Sequence, residues 1–241
     1  GFISDVYRLD FADRPPLVAK VGEAGSGLDV EGQMLETLAE RSALPVPRVI
    51  HADETLLLMD WVEGGDPMTA KSQEHAAELL AALHGITADR FGFQCDTRIG
   101  GLVQPNPWAD RWLDFFRDHR LIDRGRRALD AGRLPTALMT RLEIFSGRLG
   151  EWIDEPAAPA LLHGDVWGGN ILCRSGRVAA FIDPAIYYGD PEIELAFGTM
   201  FGTFGAPFFR RYEALRPLAP GFHETRRDIY NLYPLLVHVH L

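Results

Sequence analysis

The first sixty residues read as short strands and one helix. "DVYRLDF" (5–11) and "LVAKV" (17–21) each alternate, and "ADRPP" between them supplies turn chemistry. Period-two patterning on both sides of a Pro-rich turn predicts a β-hairpin. "GEAGSG" then breaks the chain. In "DVEGQMLETLAERS" the apolar Val30, Met34, Leu35 and Leu38 fall at helical spacing, with Asp29 as the expected N-cap. "LPVPRVIHADETLLLMDW" reads as two short strands around an Ala-Asp-Glu turn, and the Gly-rich "VEGGDPM" (62–68) as a link.

Beyond that link the period lengthens to that of helices. "SQEHAAELLAALHGI" (72–86) is expected to be capped by its Ser and to bury Ala76, Leu79, Leu80 and Leu83. "NPWADRWLDFFRDHRL" is expected to start after Asn106, with Pro107 at the first helical position and Trp108, Trp112, Leu113, Phe115 and Phe116 on one apolar face. "TALMTRLEIFSGRLGEWI" is a further amphipathic helix. The series is interrupted by "NILCRSGRVAAFID", a strand, a Ser-Gly turn and a strand, and resumes at Glu192. The pattern predicts an α+β fold of two lobes. Residues 1–62 form a small antiparallel sheet with one packed helix. Residues 63–241 form a larger, mostly helical lobe with an embedded hairpin. A cleft between lobes is where ligands usually bind.

Composition narrows the partners. A net charge of −10 repels phosphate backbones, and the arginines are interspersed with acids, as in "RWLDFFRDHRLIDRGRR". Nucleic acid is therefore not an expected partner. No apolar run approaches the roughly 20 residues that cross a bilayer, so no membrane partner is expected either. Cys95 and Cys173 are far apart and lack a His-rich neighbourhood, which offers neither a disulfide framework nor a zinc site. With no disulfide framework, a reducing cytoplasm is the expected location. Gly1 is not a Met and the chain stops inside the apolar "LLVHVHL", so further residues are expected at both ends.

The candidate chemistry is concentrated in "LLHGDVWGGNILCRSGRVAAFIDPA" (161–185). Asp165 follows an apolar run ending in a turn, where a carboxylate can take a proton from an alcohol. Asn170 and Asp183 stand at the two ends of one hairpin, so their oxygens can face one point. Two hard oxygen ligands, with water and phosphate completing the shell, are how Mg²⁺ is usually held. A base beside a Mg-nucleotide site is the equipment for phosphoryl transfer. Asp, Asn and Gly also populate ordinary turns. However, a chance His-Gly-Asp with Asn five residues on is an event of order one in a thousand at average residue frequencies. The spacing and context match the kinase catalytic loop.

Upstream, "LVAK" places Lys20 on a strand, as in the Val-Ala-x-Lys strand of kinases, where the ammonium meets the α- and β-phosphates. Lys20 needs an anionic partner; Glu31 is the first candidate, with Glu23 and Glu36 as alternatives. Gly1 is expected to close a Gly-rich phosphate loop. In "LLLMDWVEGG" the main chain of Asp60 and Val62 is expected to meet adenine. His163 is expected to brace the loop rather than do chemistry.

"LLHGDVWGGNIL", "FIDPAIYYGDPEIELAF" and "QPNPWADRWLDFFRDHRL" together resemble the fructosamine kinases, or ketosamine-3-kinases. Their wider relatives, the aminoglycoside phosphotransferases and choline kinases, share a protein-kinase-like fold. The resemblance runs over most of the chain. It implies ATP-dependent, Mg²⁺-assisted phosphorylation of a sugar hydroxyl on a small-molecule ketosamine or glycated amine; phosphorylation at the third carbon releases the sugar from the amine. It assigns Asp165 as base, Asn170 and Asp183 to the metal and Lys20 to the phosphates. Trp167 is either a wall for the sugar or a packing residue of the loop. The chain departs from the family at Gly168, where Ser is more usual. Glu194 stands where the wider superfamily favours an Asp that braces the catalytic loop. Phe2 stands where some relatives carry a redox-active Cys. Two alternatives remain: an aminoglycoside or choline-like amino-alcohol kinase of the same fold, and a catalytically silent nucleotide-binding protein.

Overall fold

The computed structural model describes residues 4–241, so Gly1 and Phe2 lie outside the described residues. The N-terminal sheet is as patterned: β1 (Asp5–Leu9), β2 (Leu17–Val21), β3 (Val49–Ala52) and β4 (Leu56–Asp60) form one antiparallel sheet in the order β1-β2-β4-β3. Asp53 makes the tight turn between β3 and β4, its Oδ1 accepting from the Thr55 and Leu56 amides, 2.8 Å each. Helix α1 (Leu28–Arg41) covers one face, packing Leu28 and Leu35 against Leu57 and Met59 with Val18 beside them. Lys20 is two residues from Val18 and so shares that face of β2.

The helical lobe opens with α2 (Ala70–Leu83). A hairpin of β5 (Thr97–Ile99) and β6 (Leu102–Gln104) follows, then a long helical run: α3 (Trp112–Phe115), a π-helical stretch Phe116–Ile122 and α4 (Asp123–Asp130). α5 (Thr136–Ser146) leads to β7 (Ala160–Leu162), then to the hairpin β8 (Ile171–Arg174) and β9 (Arg177–Phe181). β10 (Tyr187–Gly189) pairs back on β7, and α6 (Pro191–Met200), α7 (Ala206–Leu215), α8 (Arg227–Tyr230) and α9 (Leu232–His240) finish the lobe. One large core runs through it, built on Trp112, Phe115, Phe116, Leu161, Leu162 and Phe181. No helix among the described residues is long and apolar enough to cross a membrane.

Three helix starts differ from expectation: at two another residue takes the cap position, and at the third the polar residue is bonded elsewhere. α1 begins after Gly27, in the left-handed conformation at φ 81°, and Asp29 lies in the first turn. There its charge still complements the positive end of the helix. α2 is capped by Thr69, and Ser72 is the third residue of the helix, answering Thr69 in a reciprocal capping box. Asn106 starts no helix. It is buried, donating to Cys95 O and Thr97 Oγ1 and accepting from Arg120 Nη2 at 2.6 Å. The helix begins only at Trp112, whose amide donates to Glu155 Oε2 at 2.7 Å. Trp108, ahead of the helix, is partly exposed and stacks on Tyr188.

The link between lobes is not loose. Residues 61–69 have no regular structure, yet the amides of Gly65 and Asp66 both donate to Cys173 O at 3.0 Å, and Asp66 Oδ2 accepts from Ser175 N at 2.6 Å. The segment is stapled onto β8 and the turn that follows it.

Candidate active site

β7 is buried at all three of its residues, which makes it a fixed post for the loop after it. His163 then turns inward, fully buried. Gly164 follows at φ 87°, where any Cβ would collide with the Ala185 carbonyl, so only glycine lets the two segments touch. Ala185 N donates to His163 O at 2.7 Å and closes that contact. Burial holds the His163 imidazole below its ordinary value, a neutral ring against Phe181, as a bracing residue requires.

Asp165 emerges from this turn. Asn170 Nδ2 donates to both its main-chain oxygen and its Oδ2, 2.9 Å each. Burial pushes the Asp165 carboxyl up to about 7, against the pull of the Asn170 hydrogen bond and with added repulsion from Asp183 and Glu194. A base whose affinity for protons matches neutral pH is suited to accept one from an alcohol.

With Nδ2 committed to Asp165, Asn170 has its Oδ1 left as a ligand. The β8–β9 pairing places it beside Asp183: Ile182 N donates to Asn170 O at 3.0 Å. Asp183 itself has φ 53°, a left-handed conformation that Asp tolerates better than most residues. Such strained backbone clusters at functional sites. One amide oxygen and one carboxylate fit Mg²⁺ that keeps water and phosphate as its other ligands. Among the described residues no set of three or more His, Cys, Asp or Glu gathers to hold a metal without such help.

Lys20 closes the site from above. Its Nζ donates to Glu31 Oε1 at 2.6 Å and to Asp183 Oδ1 at 2.5 Å. Burial alone would lower its affinity for a proton, but Glu31 and Asp183 more than offset that and hold it above the ordinary lysine value. Of the three acids considered as its partner, Glu31 is the one that reaches it. Asp60 ends β4 with its carboxylate on Arg48, and Val62 follows in the link. Trp167 is partly exposed two residues past Asp165, edge-on to the exposed Phe201 at 5.7 Å, and its ring lies against Gly169. Gly168 donates its amide to Thr203 Oγ1 at 2.7 Å, a bond that needs no side chain at 168.

Glu194 reaches the catalytic loop despite its extra methylene. Its Oε1 accepts from Gly164 N at 2.6 Å, and its Oε2 meets His84 Nε2 at 2.8 Å. His84 Nδ1 in turn meets Tyr212 OH at 2.7 Å, all within the core. Sequence reasoning did not find His84 or Tyr212. The available signal was a His four residues after the buried Leu80, on the apolar stripe of a helix.

The four-stranded sheet with its Lys20–Glu31 pair, set over the loop that carries Asp165 and the hairpin ended by Asn170 and Asp183, is the arrangement of a phosphotransferase with the protein-kinase-like fold. A macrolide 2'-phosphotransferase from Brachybacterium faecium superposes with a TM-score of 0.66 over 99% of this chain and 82% of its own; at 17% identity the likeness is one of fold. The family is closer at hand. The fructosamine kinase family model matches residues 18–241, and the chain belongs to that family. A Synechocystis protein is 36% identical over 215 residues, which are 86% of this chain and 70% of the relative. A Thermobifida fusca crystal structure is 34% identical with a TM-score of 0.87, over 99% of this chain and 84% of its own. The first is provisionally named a ketoamine kinase and the second a fructosamine-3-kinase.

Proposed function

We propose that the protein transfers the γ-phosphoryl group of ATP to a sugar hydroxyl of a ketosamine, a fructosamine or ribulosamine, as a step in freeing glycated amines. The observation that carries this is Asp165, half-buried, held by Asn170 and poised near neutral pH, in a chain of the fructosamine kinase family. In this reading Asp165 takes the proton of the attacking hydroxyl. Lys20, oriented by Glu31, exchanges part of its contact with Asp183 for the α- and β-phosphates. Asn170 and Asp183 would hold Mg²⁺, which when bound neutralises phosphate charge. Asp60 O and Val62 N meet adenine at the lobe boundary, which we place at residue 62. Trp167 walls the sugar. The acceptor is a small molecule; neither nucleic acid nor membrane is a partner. Both cysteines are free, which suits a reducing cytoplasm.

The test is ADP release with a glycated lysine, a ribulosamine, an aminoglycoside and choline as acceptors. Turnover with a ketosamine that is lost in Asp165→Asn supports the reading. Turnover confined to another acceptor overturns the substrate, and turnover unchanged in Asp165→Asn overturns the base.

A further inference from the structure

Glu31 can orient Lys20 only if α1 is held in place, and α1 has no side chain capping its N-terminus. The loop before it is held from the other lobe. Arg98, on β5, donates from Nη2 to the Gly25 carbonyl at 2.7 Å and from Nη1 to the Gly101 carbonyl at 3.3 Å. The side chain lies on Gly27, where a Cβ would collide with its Nε. Gly27 is thus required both by its left-handed backbone and by this close approach. Glu31 is the next turn of the helix, its amide donating to Gly27 O at 3.0 Å. At the far end of α1, Arg41 Nη1 donates to Tyr188 OH at 3.0 Å, so the helix meets the helical lobe at both ends.

The hairpin that carries Arg98 is itself fastened next to the metal-binding segment. Thr97 Oγ1 donates to Ile186 O at 3.2 Å, and Gln104 Nε2 donates to Ala185 O at 2.9 Å. Gln104 Oε1 accepts from Tyr233 OH at 2.6 Å, which fixes the amide's orientation. One short hairpin therefore contacts Ala185 and Ile186, two and three residues past Asp183, and the loop that precedes α1.

We propose that Arg98 is a positioning residue for phosphoryl transfer: it sets the N-terminal end of α1 against the hairpin anchored beside Asp183, so that Glu31 and Asp183 converge on Lys20. The proposal rests on the reading of Lys20 as the phosphate-binding residue. A guanidinium suits the task because its fork of fixed donors reaches two carbonyls at once, while a lysine ammonium is a single mobile point. Loss of Arg98 leaves the Gly25 carbonyl at an exposed position where water replaces the bond, so alignment suffers rather than the fold.

The experiment measures Mg·ADP affinity by calorimetry without acceptor, together with ketoamine kinase kinetics and thermal melting, in Arg98→Ala, Arg98→Lys, Gly27→Ala and Lys20→Met. Arg98→Ala is expected to weaken nucleotide binding and to lower kcat/KM for ATP by roughly 10- to 100-fold, the scale on which misplaced groups act. The KM for the ketoamine and the melting temperature should stay near those of the parent. Arg98→Lys should recover part of the loss and Gly27→Ala should reproduce it. Nucleotide affinity unchanged in Arg98→Ala but lost in Lys20→Met overturns the proposal alone. Affinity unchanged in both overturns the reading of Lys20, and the proposal with it.

Discussion

Asp165 should make the protein less stable than it need be, and replacing it with Asn should show by how much. The carboxyl moves from an ordinary 3.8 to about 7 on folding, chiefly through burial. At about 1.4 kcal/mol per tenfold change in affinity, that is roughly 4 kcal/mol, an upper figure. The sign follows from the direction. Folding disfavours the ionised form, so the penalty is absent below the unfolded value, grows as pH rises towards 7 and is complete above it. Asn at 165 is neutral at every pH and its Oδ1 can still accept the Asn170 Nδ2 bond. Asp165→Asn should therefore be inactive yet more stable than the parent. The stability gap should be less than half its full size at pH 5 and reach that size by pH 8. Urea midpoints measured across that range, without nucleotide or divalent cation, give the gap directly. A gap that does not change with pH, or that shrinks as pH rises, would refute the idea that a desolvated carboxylate sits at 165.

His84→Leu leaves Glu194 buried without its ring partner and should lower stability by about 3–5 kcal/mol, the usual effect of removing one member of a buried pair. His84→Gln, which can still donate to Glu194 Oε2, should recover part of it; equal melting temperatures for the two variants would contradict the pairing. Trp167→Ala should raise the KM for the ketoamine roughly 3- to 10-fold, the range expected for an aromatic contact, while leaving the KM for ATP in place. Equal changes in both constants, accompanied by a drop in melting temperature, would instead mark Trp167 as packing for the loop.

What could be read from the sequence was local. The His-Gly-Asp turn, the Ser-Gly hairpin and the strand bearing Lys20 each depend on residues a few positions apart, and period and turn chemistry expose them. The choice of Glu31 over Glu23 and Glu36 was narrowed by position and decided only by the fold, since it depends on where α1 packs. The misplaced helix starts have two causes. Asp29, Ser72 and Asn106 have the right chemistry for caps, but Gly27 and Thr69 take that role at the first two. Asn106 is drawn into bonds with Cys95, Thr97 and Arg120. The Glu194–His84 contact spans 110 residues and the Lys20–Asp183 contact 163. Hydrogen bonds of that reach leave only a polar residue on an apolar stripe, as at His84, for a reader to find.

The stapled link has a consequence for how product leaves. Gly65 and Asp66 are bound to β8, the strand that follows Asn170, so the pivot available to the two lobes shrinks to the few residues between the end of β4 and Gly64. A pivot that short would swing the sheet as a door swings on its frame. On the function proposed above, such a swing would carry Lys20 away from the loop and hairpin that hold Asp165, Asn170 and Asp183. It would also have to break the Arg98–Gly25, Arg41–Tyr188 and Lys20–Asp183 bonds, which join the same two parts.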